Sequence, residues 1–598
     1  MKIIRYLSFL ALPILLLGTW NACDIATMDD EAFLEEHAKT LFVPENAFKT
    51  AQNIKDCITP CYVGVRHLFF TDDCFFTGQG CDQFDRQNES WEGNFANWTT
   101  DNSPARDPFL GIWQKIIHPA NFGLSGLETP TLVISDEDRN QCEGELRFFR
   151  GYGYLLCAEM FGGMPLMEKM YMEIKLDFTR ASREETYEFA IKDLAKAAEL
   201  LQDHPEAGRV GKGAAYHFLS EAYIALATIK NNDKADLEKA VEYADKAIAL
   251  HPLMTRRFGV RATSGQGPTR NGVKAYFPDG DVFFDLFQQG NYDYDEGNTE
   301  SIWVLQGDVE LFKALGGTNG RNDRFRQMTP SLKAVVWNKN YKESGAATKP
   351  WDGTIDATLY PGGRLCAYTG GSSNGAFVPT DYIVREIWAG DFWNDMRNNP
   401  VNLRREFVCT DTKHSQYGKI VTREMVDTTV LSFTNWAPIW TKLKPIDDWG
   451  YDDPDVYTRR YLFNDVYMVR SAATYLLRAE AKMRMGDKQG AADDVNVVRR
   501  RAECTRLATA SDMTPQFMLD ELSRECYMEG FRWATLLRMG QDGIDSVNKH
   551  ALHIVKQPFY NNVPVTTVAP ITKWTLFPIP QSVIDGNTEA VFEQNPGW

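Results

Sequence analysis

Apolar residues recur every three or four positions between residues 182 and 252, and this spacing constrains the fold more than any other feature of the chain. Ser182 and Glu185 form the Ser-x-x-Glu pattern of a capping box, which predicts a helix start. Pro205 predicts the end of that helix. Two more periodic stretches follow, separated by an Asn-Asn-Asp turn at residues 231–233. Helices of this length joined by short turns predict hairpins of the tetratricopeptide-like kind, in a degenerate repeat.

A second block of helical periodicity follows a middle region that lacks it. The helical scaffold is predicted over about 140–252 and 465–540. Loop-rich insertions, dominated by Gly, Asn, Asp, Pro and aromatic residues, are predicted over about 60–113 and 255–460. Because no linker separates these parts, the sequence predicts a single domain over 41–598 and a mainly α fold class. Long loops on a rigid frame are where binding sites usually lie, so we expect a loop-rich ligand-binding face.

The first 22 residues are predicted to be a lipoprotein signal peptide. Lys2 and Arg5 supply positive charge, and the apolar run over residues 6–17 is too short to span a bilayer. Cys23 follows a small residue, as at a bacterial lipoprotein cleavage site, where the thiol carries a diacylglycerol anchor. Residues 23–40 are then the lipidated cysteine and an acidic tether. Secretion after cleavage nearby is the alternative.

The charge and the cysteine spacing exclude several kinds of protein. The formal net charge is -17, and such an acidic body repels nucleic-acid phosphates, so we expect no nucleic-acid partner. Four cysteines cluster near the start of the chain at a spacing that does not match common zinc sites. Buried free thiols and one or two disulfides are both open for this cluster. Its members are Cys57, Cys61, Cys74 and Cys81.

Several motifs occur in order from about residue 140 to the last residue, and together they resemble the SusD/RagB family of outer-membrane nutrient-binding lipoproteins. Leu522 stands where that family usually has an Arg, and Thr535 where it often has an Asp, so local ion pairs are in doubt. The motifs are Glu145-Leu-Arg-Phe-Phe-Arg-Gly-Tyr through Phe161-Gly-Gly-Met-Pro-Leu166, Gly208-Arg-Val-Gly-Lys-Gly-Ala-Ala215, Tyr475-Leu-Leu-Arg-Ala-Glu-Ala481, Asn496-Val-Val-Arg-Arg-Arg-Ala502, Glu529-Gly-Phe-Arg-Trp533, and Leu576-Phe-Pro-Ile-Pro-Gln581 through Gln594-Asn-Pro-Gly-Trp598.

The resemblance implies a SusD-like fold of tetratricopeptide-like helix pairs with a loop-rich ligand face. It also implies the outer face of the outer membrane, reached through the lipid anchor on Cys23. The implied partner is a SusC-like TonB-dependent barrel transporter, which the lipoprotein caps. Glu525 and Glu529 are expected to form ion pairs, with Arg470 and Arg524 near them in the pattern.

Aromatic residues in polar loops are the candidate ligand contacts, because sugars pack their C–H faces on flat rings while Asn, Asp and Arg bond the hydroxyls. We therefore expect an oligosaccharide ligand. Trp113 and Trp303 lie in apolar runs and are expected in the core. The candidate binding residues are Asp82, Arg86, Trp91, Asn94, Trp98, Tyr292, Tyr294, Trp351 and Tyr360, with Asn97 beside them.

The motifs for chemistry are weak. Asn291, Asp293 and Asp295 have the spacing of a calcium loop that fails afterwards, so turn chemistry competes with a structural calcium site. We expect no catalytic residue, no enzymatic activity and no cofactor. The alternatives are a peptide-binding relative, a surface glycoside hydrolase with two carboxylates about 5–9.5 Å apart, and a protein that only closes the barrel.

Overall fold

The chain divides between Ala47 and Phe48, and residues 48–598 form the compact unit that carries the helices and strands given below. The predicted signal peptide, Cys23 and the tether lie outside the described residues, and the single domain over 41–598 stays a prediction. The computed structural model describes residues 47–70, 80–86, 98–101, 105–171, 173–262, 269–270, 273–274, 280–307, 327–351, 375–429, 436–443, 465–551, 571 and 575–598.

The first part of the compact unit is helical. Its consecutive helices between Asp136 and Leu250 pack against each other. A π-helical turn, Trp113–Ile117, joins α2 to α3. These helices are α1 (Ala51–Phe70), α2 (Arg106–Ile112), α3 (His118–Leu127), α4 (Asp136–Met160), α5 (Arg183–Leu200), α6 (Lys212–Ile229) and α7 (Lys234–Leu250).

Later helices complete the scaffold, and α11 packs against both α7 and α12. The mainly α fold class is therefore confirmed. These helices are α8 (Gly259–Ala262), α9 (Val282–Leu286), α10 (Asp381–Val384), α11 (Ser471–Arg484), α12 (Lys488–Arg501), α13 (Pro515–Cys526), α14 (Arg532–Arg538), α15 (Gln541–His550) and α16 (Gln581–Gly586).

The start of α5 follows the predicted capping box. The Ser182 side chain accepts a hydrogen bond from the Glu185 backbone N–H at 3.1 Å, and the Glu185 carboxylate accepts from the Ser182 N–H at 2.7 Å. Two backbone donors that the first helical turn cannot satisfy are thus paired. The helix ends at Leu200, before the predicted stop.

Short antiparallel strand pairs lie between the helical parts. The pairs are β1 (Phe84–Arg86) with β5 (Phe377–Pro379), β2 (Thr269–Arg270) with β3 (Val273–Lys274), β4 (Ser301–Leu305) with β8 (Val466–Arg470), and β6 (Leu403–Arg404) with β7 (Ile439–Trp440). The β4–β8 pair is fully buried. Trp303 of β4 packs edge-on against Phe148 and Tyr152 of α4, with ring centroids 5.4 and 5.8 Å away, so its predicted core position is confirmed. Trp113 is half-buried and packs edge-on against Tyr154.

A buried network of charges ties α13 to the strands. Arg470, at the end of β8, pairs with Glu525 and Glu529 at 2.6 Å each and with Glu300 at 2.7 Å. Arg397 pairs with Glu525 at 2.9 Å. The predicted ion pairs of Glu525 and Glu529 with Arg470 are confirmed, whereas Arg524 pairs with Glu521 at 2.8 Å.

All eight cysteines that the structure describes are free thiols, and seven of them are buried. For Cys57, Cys61 and Cys81 the free-thiol alternative is confirmed, while Cys74 lies outside the described residues. Burial raises the pKa of the Cys57 thiol to about 12, so the thiol stays protonated and unreactive. Within the described ranges, no helix combines the length and the apolar character that crossing a membrane requires.

Candidate ligand-binding site

The structure does not describe the side chains of five residues that the sequence analysis named as contacts. Trp91, Asn94 and Tyr360, together with Asn97, lie outside the described residues. Arg86 is described only through its backbone, which pairs with Phe377 across the β1–β5 ladder. These residues stay predictions.

Asp82 is buried, and its carboxylate is occupied by partners from distant parts of the chain. Arg532 donates to it from Nε at 2.9 Å, and the Ser546 hydroxyl donates at 2.8 Å. Its side chain is 0% exposed. The prediction that Asp82 contacts a ligand is therefore wrong for this structure, because the carboxylate serves as a core partner of Arg532.

Three of the predicted aromatic contacts also lie in the core, and we remove them from the candidate site. Trp98 is 6% exposed and stacks on Trp598, with 6.4 Å between centroids. The Tyr292 hydroxyl donates to the backbone oxygen of Phe287 at 3.3 Å, and its ring is 1% exposed. Trp351 is 3% exposed, and its indole N–H donates to a backbone oxygen at 2.8 Å. In the described structure these three rings are therefore covered by other residues.

Tyr294 is the predicted aromatic residue that does reach the surface. It opens a 3₁₀ turn, Tyr294–Glu296, and is half-buried. Its ring stacks on the exposed His204, with centroids 3.8 Å apart and planes at 14°. His251 meets the pair edge-on, 5.2 Å from His204 and 5.8 Å from Tyr294. Three flat rings from three separate segments thus form one aromatic cluster, in which His251 is buried and His204 is exposed.

A cleft opens beside this aromatic cluster. It encloses about 30 Å³ and is lined by His204, Arg209, His251, Asp293 and Tyr294, among others. That volume holds about two water molecules. A group the size of a hydroxyl or a hydroxymethyl therefore fits into the cleft, whereas a whole sugar ring does not.

The Gly-rich motif at 208–215 shapes one wall of the cleft. Gly208 lines it with φ +79°, a conformation that L side chains rarely adopt. At Gly213, a Cβ would lie 2.2 Å from Nε2 of His251, so the first turn of α6 closes on the imidazole only because the residue is glycine. Two glycines of this family-like motif are therefore required, one by its backbone conformation and the other by the close approach of His251.

The polar groups of the cleft include carboxylates and a neutral imidazole. Burial raises the pKa of Asp293 to about 6, although Gln306 donates to its carboxylate at 2.9 Å. Asp295 is exposed. Burial, together with the neighbouring His204, lowers the pKa of His251 to about 4, so this ring is neutral at pH 7, and both of its nitrogens are buried.

The calcium spacing of this segment corresponds to turn chemistry. The Asn291 amide donates to the backbone oxygen of Asp285 at 2.9 Å. Asp293 and Glu296 form a capping box around the 3₁₀ turn. In the described part of the chain, no three His, Cys, Asp or Glu side chains converge as metal ligands.

Sequence reasoning missed His204 and His251. Both lie directly before a proline at a helix end, where the pattern indicated a stop signal and nothing more. The available signal was that a His-Pro pair follows each of the helices α5 and α7, and that both of these helices pack against α6. It did not point to Tyr294.

A helix-pair scaffold with an aromatic, polar-lined cleft defines a class of small-ligand binding protein, and comparison with known proteins narrows that class. Residues 366–598 match the model described as "SusD family", and residues 33–224 match the model described as "Starch-binding associating with outer membrane". A curated relative, "Starch-binding protein SusD" from Bacteroides thetaiotaomicron, is 24% identical over 472 residues, which cover 78% of this chain and 74% of that protein. The chain belongs to the SusD/RagB family.

Solved structures share the fold at low sequence identity. A SusD homolog from Bacteroides thetaiotaomicron has a TM-score of 0.62 at 19% identity and covers 93% of this chain and 98% of its own. B. fragilis NanU has a TM-score of 0.62 at 17% identity, covering 94% and 99%. A "Laminarin binding SusD-like protein" has a TM-score of 0.58 at 18% identity, covering 92% and 100%.

Proposed function

We propose that this protein binds oligosaccharides at the bacterial outer membrane and does not cleave them. The observation that carries the proposal is the family match at both ends of the chain, one of whose models is described as starch-binding and outer-membrane associated. Relatives named for starch and laminarin binding support a carbohydrate ligand. Affinity then comes from ring stacking and hydrogen bonds.

Within the described residues, the Tyr294–His204 pair is the proposed contact surface. The stacked rings present an apolar plane at a half-exposed position. The exposed carboxylate of Asp295 lies at the same cleft and suits the hydroxyls of a sugar. A ligand that stacks and hydrogen-bonds at one place fits this mixture better than a purely apolar one.

Delivery is the second part of the proposal. The lipid anchor on Cys23 would hold the protein on the outer face of the outer membrane, where a SusC-like TonB-dependent transporter would receive the ligand. Affinity purification of the full chain from its own outer membranes tests this: a barrel transporter is expected to co-purify. Recovery of the chain alone from mild detergent would contradict it.

Peptide binding by the same scaffold is the alternative within the family, and glycoside hydrolysis is the alternative outside it. A hydrolase needs one carboxylic acid kept protonated and a second carboxylate across the scissile bond. Of the three cleft carboxylates, Asp293 is already held by Gln306, while Glu206 and Asp295 are exposed. We therefore favour binding without turnover.

The deciding experiment is calorimetry of the soluble chain starting after Cys23, against plant, host and microbial oligosaccharides and a set of peptides. Product analysis of the same samples detects cleavage. Tyr294→Ala is the site variant. Tyr171→Ala is the matched control, because Tyr171 is also exposed (37%) and does not line the cleft.

Binding to a glycan without products, weakened by Tyr294→Ala and unchanged by Tyr171→Ala, is the expected result. Binding to peptides alone would favour the alternative within the family. Release of shorter sugars would overturn the non-enzymatic part. Glycan binding that Tyr294→Ala leaves unchanged would keep the function and reject the cleft.

A further inference from the structure

One tryptophan differs from the other tryptophans that the structure describes. Trp393 is 54% exposed, whereas the others are buried or half-buried. It lies in a 3₁₀ segment, Gly390–Asn394, that sequence reasoning did not select. An exposed indole in a chain that buries its other described indoles calls for a physical account.

The indole is supported from one side. The guanidinium carbon of Arg405 lies over the ring, 5.0 Å from the centroid. Arg405 is itself held, because it donates to the backbone oxygen of Val384 at 2.9 Å and to the Asn398 amide oxygen at 2.6 Å. Arg405 thus lies against one face, and 54% of the residue is still exposed to solvent.

The same asparagine holds the backbone beneath the indole. Asn398 Nδ2 donates to the backbone oxygen of Trp393 at 2.9 Å. Asn398 closes the 3₁₀ turn Met396–Asn398, in which Arg397 forms a buried ion pair with Glu521 at 2.9 Å. The indole, the guanidinium and the turn are therefore fixed to the buried charge network of α13 before any ligand arrives.

The fixed position of the indole before binding affects the free energy of binding. A flat ring that is already held loses little conformational freedom when a second ring stacks on it. Burial lowers the pKa of Arg405 to about 10, which still leaves it charged at pH 7. Arg405 therefore remains a cation against one face of the Trp393 indole, and the rest of the ring is apolar.

We propose that Trp393 is a second carbohydrate contact, on which a pyranose ring of the ligand stacks. The inference rests on the proposed glycan-binding function but not on the Tyr294 cleft. The residues beside the indole in the chain suit sugar hydroxyls, since Asp391, Asn394 and Asn399 are all exposed.

A protein partner fits this surface less well. A stable protein interface covers roughly 800 Å² on each partner around an apolar centre. Here the exposed indole stands among polar neighbours in the chain, such as Asp391 and Asn394. One ring with a polar border matches one sugar residue.

The test uses the soluble chain labelled with 5-fluorotryptophan and followed by ¹⁹F NMR. Trp393→Phe assigns the resonance of interest. Maltoheptaose, laminarihexaose, cellohexaose, xylohexaose and chitohexaose are titrated separately, into wild type and into Tyr294→Ala. We expect at least one of them to shift the Trp393 resonance saturably in both proteins. Trp393→Ala is expected to weaken that sugar's binding about 3- to 10-fold, and Trp393→Phe less.

Tyr171→Ala is the matched control, because Tyr171 is another exposed ring with a cation over it, Lys175 at 5.6 Å. Its affinity is expected to equal that of wild type. Because the Trp393 side chain is largely exposed, Trp393→Ala is expected to keep the wild-type melting temperature, which separates a lost contact from a lost fold.

Two results would overturn the inference. One is binding of a sugar, seen by calorimetry, with no shift of the Trp393 resonance and no loss in Trp393→Ala. In that case the proposed function stands and the second contact fails. The other is an unchanged Trp393 resonance with all five sugars together with loss of transporter co-purification in Trp393→Ala, which would assign the surface to protein docking.

Discussion

Nη1 of Arg470 lies 2.6 Å from Oε1 of Glu525, and neither side chain is exposed to solvent. Arg470 stands at the end of β8 and Glu525 in α13, so the pair connects the buried strands to the C-terminal helices. Glu300 and Glu529 pair with the same guanidinium. A buried cation among three carboxylates is costly to remove alone, because the carboxylates are left without a counter-charge.

Replacement of Arg470 therefore tests what the network contributes. We expect Arg470→Met to lower the free energy of unfolding by about 3–5 kcal/mol, the range for breaking a buried ion pair from one side. Urea denaturation measures it. The control is Lys234→Met, since Lys234 pairs with Glu238 on an exposed helix surface at 3.6 Å and is expected to give no measurable change. A loss below about 1 kcal/mol for Arg470→Met would contradict the argument.

The stability of the protein is expected to fall in acid because of Glu521. Burial alone would raise the pKa of Glu521, but Arg397, Arg524 and Arg499 outweigh it and lower the pKa to about 2. The folded state therefore favours the ionised carboxylate, so this stabilisation is present above about pH 4.5 and is lost as the pH falls toward 2. Urea midpoints at pH 7, 5, 4 and 3 should decline less steeply in Glu521→Gln than in wild type. Parallel declines would reject Glu521 as a source of the acid sensitivity.

A second carboxylate acts in the opposite direction. Arg538 faces three carboxylates, Glu221 at 2.7 Å, Glu159 at 3.1 Å and Glu480 at 3.2 Å. Burial, and then the charge of Glu221, raises the pKa of Glu159 to about 8.

The folded state thus binds a proton on Glu159 that the unfolded chain releases above about pH 4.5. Stability from this group is expected to fall as the pH rises from about 4.5 to 8. Glu159→Gln has nearly the shape of the protonated carboxyl group and cannot ionise. It is therefore expected to flatten that decline and to have a higher melting temperature than wild type at pH 9. Thermal unfolding across pH 5–9 measures it, with Glu184→Gln at the exposed start of α5 as the control. Identical slopes in Glu159→Gln and wild type would exclude this role.

Tyr294 gives the prediction that concerns ligand binding. We expect Tyr294→Ala to weaken glycan affinity by about 2- to 12-fold, corresponding to the roughly 0.5–1.5 kcal/mol of an aromatic pair. Tyr294→Phe keeps the ring on His204 and is expected to lose less. Calorimetry with the ligand found in the panel gives both values. Equal losses in the two variants would assign the contact to the hydroxyl instead of the ring.

The sequence alone determined the parts of this protein that depend on near neighbours in the chain. The 3/4 spacing after residue 182 and the Ser182–Glu185 box predicted α5 because a helix start is satisfied by groups three residues apart. The apolar run around Trp303 predicted a core position, and the motifs predicted the family. The pairing of Glu525 and Glu529 with Arg470, which lies 55 and 59 positions away, was expected from the family motifs and not from local spacing.

Only the tertiary structure decided which loop aromatics reach the surface. Trp98 and Tyr294 occupy similar polar, loop-like sequence, yet Trp98 is covered by Trp598 while Tyr294 reaches the surface on His204. Exposure of such a ring depends on which distant segment packs over it. Because hydrophobic attraction is non-directional, the sequence around an apolar residue does not identify the residue that packs against it. The same holds for Asp82, whose partner Arg532 lies 450 positions away and turns an expected ligand contact into a buried ion pair.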